Sequence, residues 1–207
     1  MNDFRSAERL NFYRLSLLIL DVGTPTLQGL FEKQYSTAGD LQTFLSSTQI
    51  TCKLQVLYRK KVISQKQQDL LKPCTGAKPS INTLDISLVT TLLTNLCSIS
   101  KPHLGWKVPP AGHDKSIGAD ILRLRQARNE LYAHRVNGTV TDAIFHTTWN
   151  GLLESISRLS THLSKLQQDE IQATIVNIEK AHINWERENQ INEQLFAKTI
   201  SDIVEKL

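Results

Sequence analysis

At 207 residues, 40% hydrophobic and 21% charged, the chain can bury the core of one sizeable domain with an appendage. Its formal net charge of +4 admits an anionic partner without requiring one, because lysines on a solvated surface give the same figure. Cys52, Cys74 and Cys97 include no CxxC pair, which leaves zinc and dithiol chemistry without support and favours a reducing, cytoplasmic setting over a disulfide-built secreted one.

The pattern is helical almost throughout. Leu10, Tyr13, Leu17 and Leu20 recur at three- and four-residue spacing and predict a first helix over residues 4–22. Its apolar run, Leu15 to Leu20, is far short of the ~20 residues that cross a bilayer, and no small-residue cleavage site follows it. Gly23-Thr24-Pro25 reads as a stop and a new start, with Leu27, Leu30 and Phe31 continuing the spacing. Short helices are expected around Leu41 to Leu45 and Lys53 to Arg59. Ser64 should cap another over SQKQQDLL, since its hydroxyl can accept from the first-turn amides. Leu84, Leu88, Leu92 and Leu96 predict a strong helix over 82–99.

An irregular connection follows at 100–116, rich in proline and glycine, with Trp106 as its expected anchor. Gly23, Gly29, Gly105, Gly112 and Gly118 read as helix breaks or loop residues. The next helix runs from about Ser116 to His134 and ends before an Asn137-Gly138 turn. Thr141 or Asp142 can cap a further helix to about Leu163, with Phe145, Trp149, Leu152, Ile156 and Leu159 on its core stripe. Residues 166–207 hold no proline or glycine and predict a long helix or helical pair, packed on the body or lying against a partner. The expected division is therefore a helical domain over 1–165 and a helical extension over 166–207.

One helix position is unusual. At about 100° per residue, Ile117, Ile121, Leu124, Arg128 and Leu131 share one face, so Arg128 sits on the core-facing stripe. A guanidinium there needs partners for several N–H groups. His134 lies roughly 120° further round, so a single regular helix does not bring the two together. Either the helix frays at His134, or a second copy supplies the other half. The bland alternative is that Arg128 snorkels or pairs with a neighbouring glutamate while His134 caps the helix end.

Arg128-Asn129 followed by His134 resembles the R-polar-x4-H motif of the HEPN superfamily of small helical domains. LDISLVTTLLTNLC at 84–97, the loop with Gly105-Trp106, ADILRLRQARNELYAH at 119–134 and FHTTW at 145–149 extend the likeness. So do LDVGTPTLQGLFEK at 20–33 and VISQKQQDLL at 62–71. Together they resemble the HEPN-like domain of the DAZ-interacting zinc-finger ubiquitin ligase family, over roughly residues 8–170, with no counterpart for the last forty.

That resemblance implies an all-α, HEPN-like bundle that pairs with a second copy and cleaves single-stranded RNA without metal or other cofactor. Carried over, Arg128 and His134 form the catalytic pair, with Asn129 as the polar residue that positions them. Apart from the resemblance, Arg123, Arg125, Arg128 and Arg135 all lie near the motif and either track a phosphate backbone together or form an arginine-rich solvated face, and Arg125, Arg135 and Tyr132 are the candidate RNA contacts. Histidine titrates near neutral pH and can move the protons, while arginine offers phosphate a planar fork of donors. The alternative is a noncatalytic RNA-binding or oligomerisation module of a larger signalling, immune or ubiquitin-ligase protein. Tyr58-Arg59-Lys60-Lys61 reads as a solvated turn, and His103 and His113 as surface residues.

Overall fold

The computed structural model describes residues 2–74, 76–134 and 138–204, with side chains for all of these except 2–5, 132–134 and 195–204. All regular structure among them is helical, as the periodicity predicts. The helices are α1 (Asn2–Leu17), α2 (Thr24–Tyr35), α3 (Leu41–Ser46), α4 (Thr48–Arg59) and α5 (Gln65–Leu71), then α6 (Ile86–Leu96), α7 (Ile117–His134), α8 (Asp142–Ser160), α9 (Lys165–Glu179) and α10 (Trp185–Val204).

The expected stop at Gly23-Thr24-Pro25 does not occur. A π-helical segment, Leu18–Gly23, joins α1 to α2, and Gly23 keeps helical angles of φ −60° and ψ −45°. Proline lacks an N–H and crowds the carbonyl four residues back, which a wider turn accommodates. Thr24 completes that turn, its backbone N–H and its hydroxyl both donating to the Ile19 carbonyl, the latter at 3.1 Å. Pro25 then occupies the first turn of α2, where its missing donor costs nothing.

Capping also sets where α5 and α6 begin. Ser64 and Gln67 form the reciprocal side-chain cap of α5. The α6 helix starts at Ile86, later than the leucine spacing suggests, because the Asp85 carboxylate accepts from the Leu88 N–H at 2.6 Å and draws the chain into a cap. Buried on nearly every side through Leu88, Val89, Leu92 and Leu93, α6 is the central helix. It packs against α2 and α7, while α8 packs against α7, α1 and α2. Leu27, Phe31, Ile121, Leu124 and Leu159 are fully enclosed between them. Trp149, Leu152 and Ile156 face the same core from α8, which ends at Ser160, a turn before the expected Leu163.

The C-terminal region is a helical pair packed back on α1. Ile175, Ile178 and Ile191 enter the common core. Arg9 of α1 forms a two-pronged pair with Glu188 at 2.9 and 2.6 Å, and its guanidinium lies 5.8 Å from the centre of the Trp185 ring. Arg14 donates to the Ala181 carbonyl at 3.1 Å, closing the turn between α9 and α10.

Gly29 and Gly118 are not helix breaks. Gly118 lies in the first turn of α7, where the loop crosses so closely that an added Cβ would stand 2.3 Å from the Ser100 carbonyl oxygen and 3.0 Å from the Trp106 ring. Trp106 thus anchors the loop as expected. Gly118→Ala would gain ~1 kcal/mol of helix propensity, but forcing that backbone apart costs about 1–3 kcal/mol. The expected result is a net loss of stability in urea unfolding, with the α7 end of the loop loosened.

Candidate functional site

The face of α7 that enters the core is the one read from the sequence: Ile121, Leu124 and Leu131 are buried, and Arg128 is buried among them at 8% exposure. The helix is fixed in rotation by Asp120, 1% exposed, which accepts from Arg123 Nη1 at 2.7 Å and from Arg158 Nε and Nη2 at 2.8 and 2.7 Å. The bonds to Asp120 raise the Arg158 pKa above its ordinary value. Arg123 also donates through Nη2 to the Ala111 and Asp114 carbonyls, each at 2.7 Å. Its guanidinium is therefore committed to holding the loop and α8 against α7.

Asp114 secures the same loop. Its carboxylate accepts from the His103 N–H at 2.7 Å and the Ser116 N–H at 3.0 Å, and these bonds lower its pKa to about 2. A carboxylate whose folded pKa lies below its unfolded value stabilises the fold above the ordinary range near 3.8 and loses that contribution as pH falls through the folded value. The loop should accordingly keep its structure as the pH is lowered to about 3 and lose it near 2. The Trp106 indole resonance would report the change, and in Asp114→Asn it would shift at neutral pH.

At the other end of α7, the chain is tied to α1. The Val140 N–H donates to the Glu8 carbonyl at 3.0 Å. Asn11 Nδ2 reaches the Val140 carbonyl at 3.2 Å and Asp142 Oδ1 at 2.7 Å. The end of the motif helix is thereby framed by α1 and α8.

Arg128 Nη1 donates to Asn129 Oδ1 at 3.3 Å, so the first two residues of the motif are in contact. The guanidinium lines a groove of about 440 Å³. Its walls come from the π segment and α2 (Leu20, Asp21, Pro25), from α5 (Lys66, Leu70), from the entry to α6 (Leu84, Asp85) and from α10 (Arg187, Gln194). Arg187 donates to the Asp21 carboxylate, and both residues line the groove. Burial raises the Asp21 pKa, with the Arg187 charge opposing it. Of the other expected residues, Asn129 and Arg125 are exposed, and Arg125 does not line the groove. The backbone of α7 stays helical to His134. The side chains of His134 and Tyr132, and Arg135 altogether, lie outside the described residues.

Lys66, Arg187 and Asp21 were not legible as site residues, because they reach the groove from three elements far apart in sequence. His103 and His113 are exposed, as read. Tyr58 donates its hydroxyl to Gln65 at 2.6 Å, and the basic run beside it forms the turn leaving α4. The three cysteines are free thiols. Among the described residues no helix is long and apolar enough to cross a membrane.

The family described as DZIP3/hRUL138-like HEPN matches residues 38–205. The chain is 29% identical over 100 residues to the E3 ubiquitin-protein ligase DZIP3 of Homo sapiens, an alignment covering 48% of this chain and 8% of the ligase. Against the ligase of the same name from Mus musculus it is 28% identical over 102 residues, 49% of this chain and 8% of the relative. The chain thus matches only a small part of the length of these curated relatives. No solved structure matches. The family match reaches through α9 and α10, beyond residue 170 where the resemblance of the sequence motifs ends. An all-α bundle matched over most of its length carries the conclusion that this chain belongs to the DZIP3/hRUL138-like HEPN family.

Proposed function

We propose that the chain is a metal-independent endoribonuclease module that acts on single-stranded RNA as a homodimer. The observation that carries this reading is the position of Arg128: a guanidinium on the buried stripe of α7, touching Asn129 and forming part of the wall of a groove about 440 Å³ in volume. A recessed, permanently charged fork suits the binding of a phosphodiester and the charge that builds on it during cleavage. His134 supplies the proton transfers: it removes the 2′-hydroxyl proton, the 2′-oxygen attacks the adjacent phosphorus, and the 5′-oxygen leaves with a proton. The products are a 2′,3′-cyclic phosphate and a 5′-hydroxyl.

The helical backbone of α7 extends to His134, which supports the composite arrangement over an early fraying of the helix. Two chains facing each other provide one histidine as base and the other as acid. The module would serve a larger, cytoplasmic protein of immune or ubiquitin-ligase signalling, since the region it matches is 8% of the DZIP3 ligases.

Incubation with end-labelled single-stranded RNA in EDTA tests the proposal. Cyclic-phosphate products are expected, with a rate per chain that rises with protein concentration until the dimer is saturated. RNA left intact at every concentration would overturn catalysis. The same 8% share favours a second reading, a noncatalytic RNA-binding or self-association module inside a ligase-like protein. It predicts RNA retained uncut.

A further inference from the structure

Residues 41–68 carry Lys53, Arg59, Lys60, Lys61 and Lys66 and no aspartate or glutamate. Three of these cations are consecutive, at the turn by which the chain leaves α4. Arg59, Lys60 and Lys61 are exposed, and among the described residues none of the three is ion-paired. Arg59 Nε donates to the Gln55 carbonyl at 3.4 Å, which leaves its Nη groups unengaged by described residues. Asp69 of α5 accepts from Gln65 Nε2 at 2.7 Å, not from any of the three. A helix C-terminus favours a cation in its last turn, which accounts for Arg59 but not for the two lysines beyond it.

The backbone adds a second observation. The Lys61 N–H donates to the Tyr58 carbonyl and the Val62 N–H to the Leu57 carbonyl, each at 2.9 Å, in a Schellman closure of α4. Lys61 takes φ +54°, and it is the one non-glycine among the described residues in the left-handed region. Glycine suits that position without strain, and the closure makes no use of a lysine side chain. What the lysine contributes is its charge, held out from a fixed turn. Beside it, the Tyr58 hydroxyl donates to Gln65 Oε1 at 2.6 Å, which steadies the ring while the residue stays 38% exposed.

We propose that this turn is a contact for single-stranded RNA, in which Arg59, Lys60 and Lys61 meet backbone phosphates and the Tyr58 ring takes a base. The inference rests on the reading that the chain takes single-stranded RNA, but on none of the catalytic residues. Clustered cations beside a steadied aromatic ring hold a single strand by charge and by stacking. The ring favours RNA over an acidic peptide, which has no base to stack. Ser64, three residues after Lys61 and so at most about 11 Å along the chain, lines the groove that Arg128 also lines. One strand can therefore lie over the turn and enter the groove.

Fluorescence anisotropy of a nuclease-resistant 2′-O-methyl RNA dodecamer, across a salt series, tests the contact without needing cleavage. The variants are Lys61→Gly, the double variant Arg59→Gln/Lys60→Gln, and the control Lys180→Gln at the exposed end of α9. Lys61→Gly separates binding from folding, because glycine fits the left-handed position and should hold Tm at or above wild type. Its affinity should still fall several-fold. The slope of log affinity against log salt should shrink by about 0.7 for each cation removed, the value for a phosphate contact on a single strand. The control should match wild type.

A polyglutamate peptide forms the second arm. RNA bound more tightly than the peptide, in a manner dependent on Lys61, supports the assignment. A peptide bound as tightly, with the same dependence, would overturn RNA as the partner and assign an acidic protein segment. Wild-type RNA affinity and salt slope in both turn variants would overturn the contact and leave the nuclease reading intact, as would an equal loss in the control. Uncut RNA with Lys61-dependent binding would do the reverse. No RNA binding by wild type would overturn the contact together with the reading on which it rests.

Discussion

Arg128→Ala is expected to lower RNA cleavage by a factor of about 10²–10³. Arginine contributes to binding the phosphate and more strongly to the transition state, where charge accumulates on the equatorial oxygens. Its loss should therefore lower kcat as well as weaken binding. Arg128→Lys separates charge from geometry. Lysine keeps the cation but offers a point charge instead of a planar fork, so activity between wild type and alanine is expected. Circular dichroism and thermal unfolding of both variants separate a loss of chemistry from a loss of fold, a control that the burial of Arg128 at 8% exposure makes necessary. Full cleavage by Arg128→Ala would remove this residue from the mechanism.

The largest stability effect should fall on Asp120. Replacement by alanine leaves Arg123 and Arg158 without the buried carboxylate that accepts three of their hydrogen bonds. Breaking a buried ion pair from one side costs roughly 3–5 kcal/mol. The two arginine side chains are 19% and 30% exposed and can recover water, which places the loss near the lower limit, about 3 kcal/mol. For a chain of this size that is a fall of about 6–12 °C in Tm. The consequence extends to function, because this cluster sets the rotation of α7 and so the aim of Arg128. Cleavage should fall in Asp120→Ala even at temperatures where the protein remains folded. Urea unfolding at several temperatures checks the first effect, and an assay well below Tm checks the second.

The fold and the site were not equally legible in the sequence. The α7 helix could be read because its information is local: the spacing of Ile121, Leu124 and Leu131 specifies a buried face, and Arg128 stands out on it. The Ser64 cap was similarly local. Pro25 misled because proline is an average breaker of helices, whereas here a π turn absorbs it and the chain stays helical into α2. The leucine spacing overran the start of α6 because hydrophobic period does not register the cap made by Asp85.

The groove could not be read at all. Arg187 and Asp21 are separated by 166 positions, and only the return of α10 onto the body brings them together. Arg123 shows the opposite error. An arginine beside the motif resembled a phosphate contact, yet its donors meet Asp120 and two loop carbonyls, partners that only tertiary packing reveals.

Cleavage of single-stranded RNA by the His134→Ala protein, assayed beside wild type in EDTA with binding of a resistant strand measured in parallel, tests the proposed chemistry most directly. Proton transfer by a positioned side chain is worth roughly 10²–10⁴ in rate, so cleavage should drop by that factor while affinity for the strand stays close to wild type. Equal cleavage by the two proteins would contradict the account.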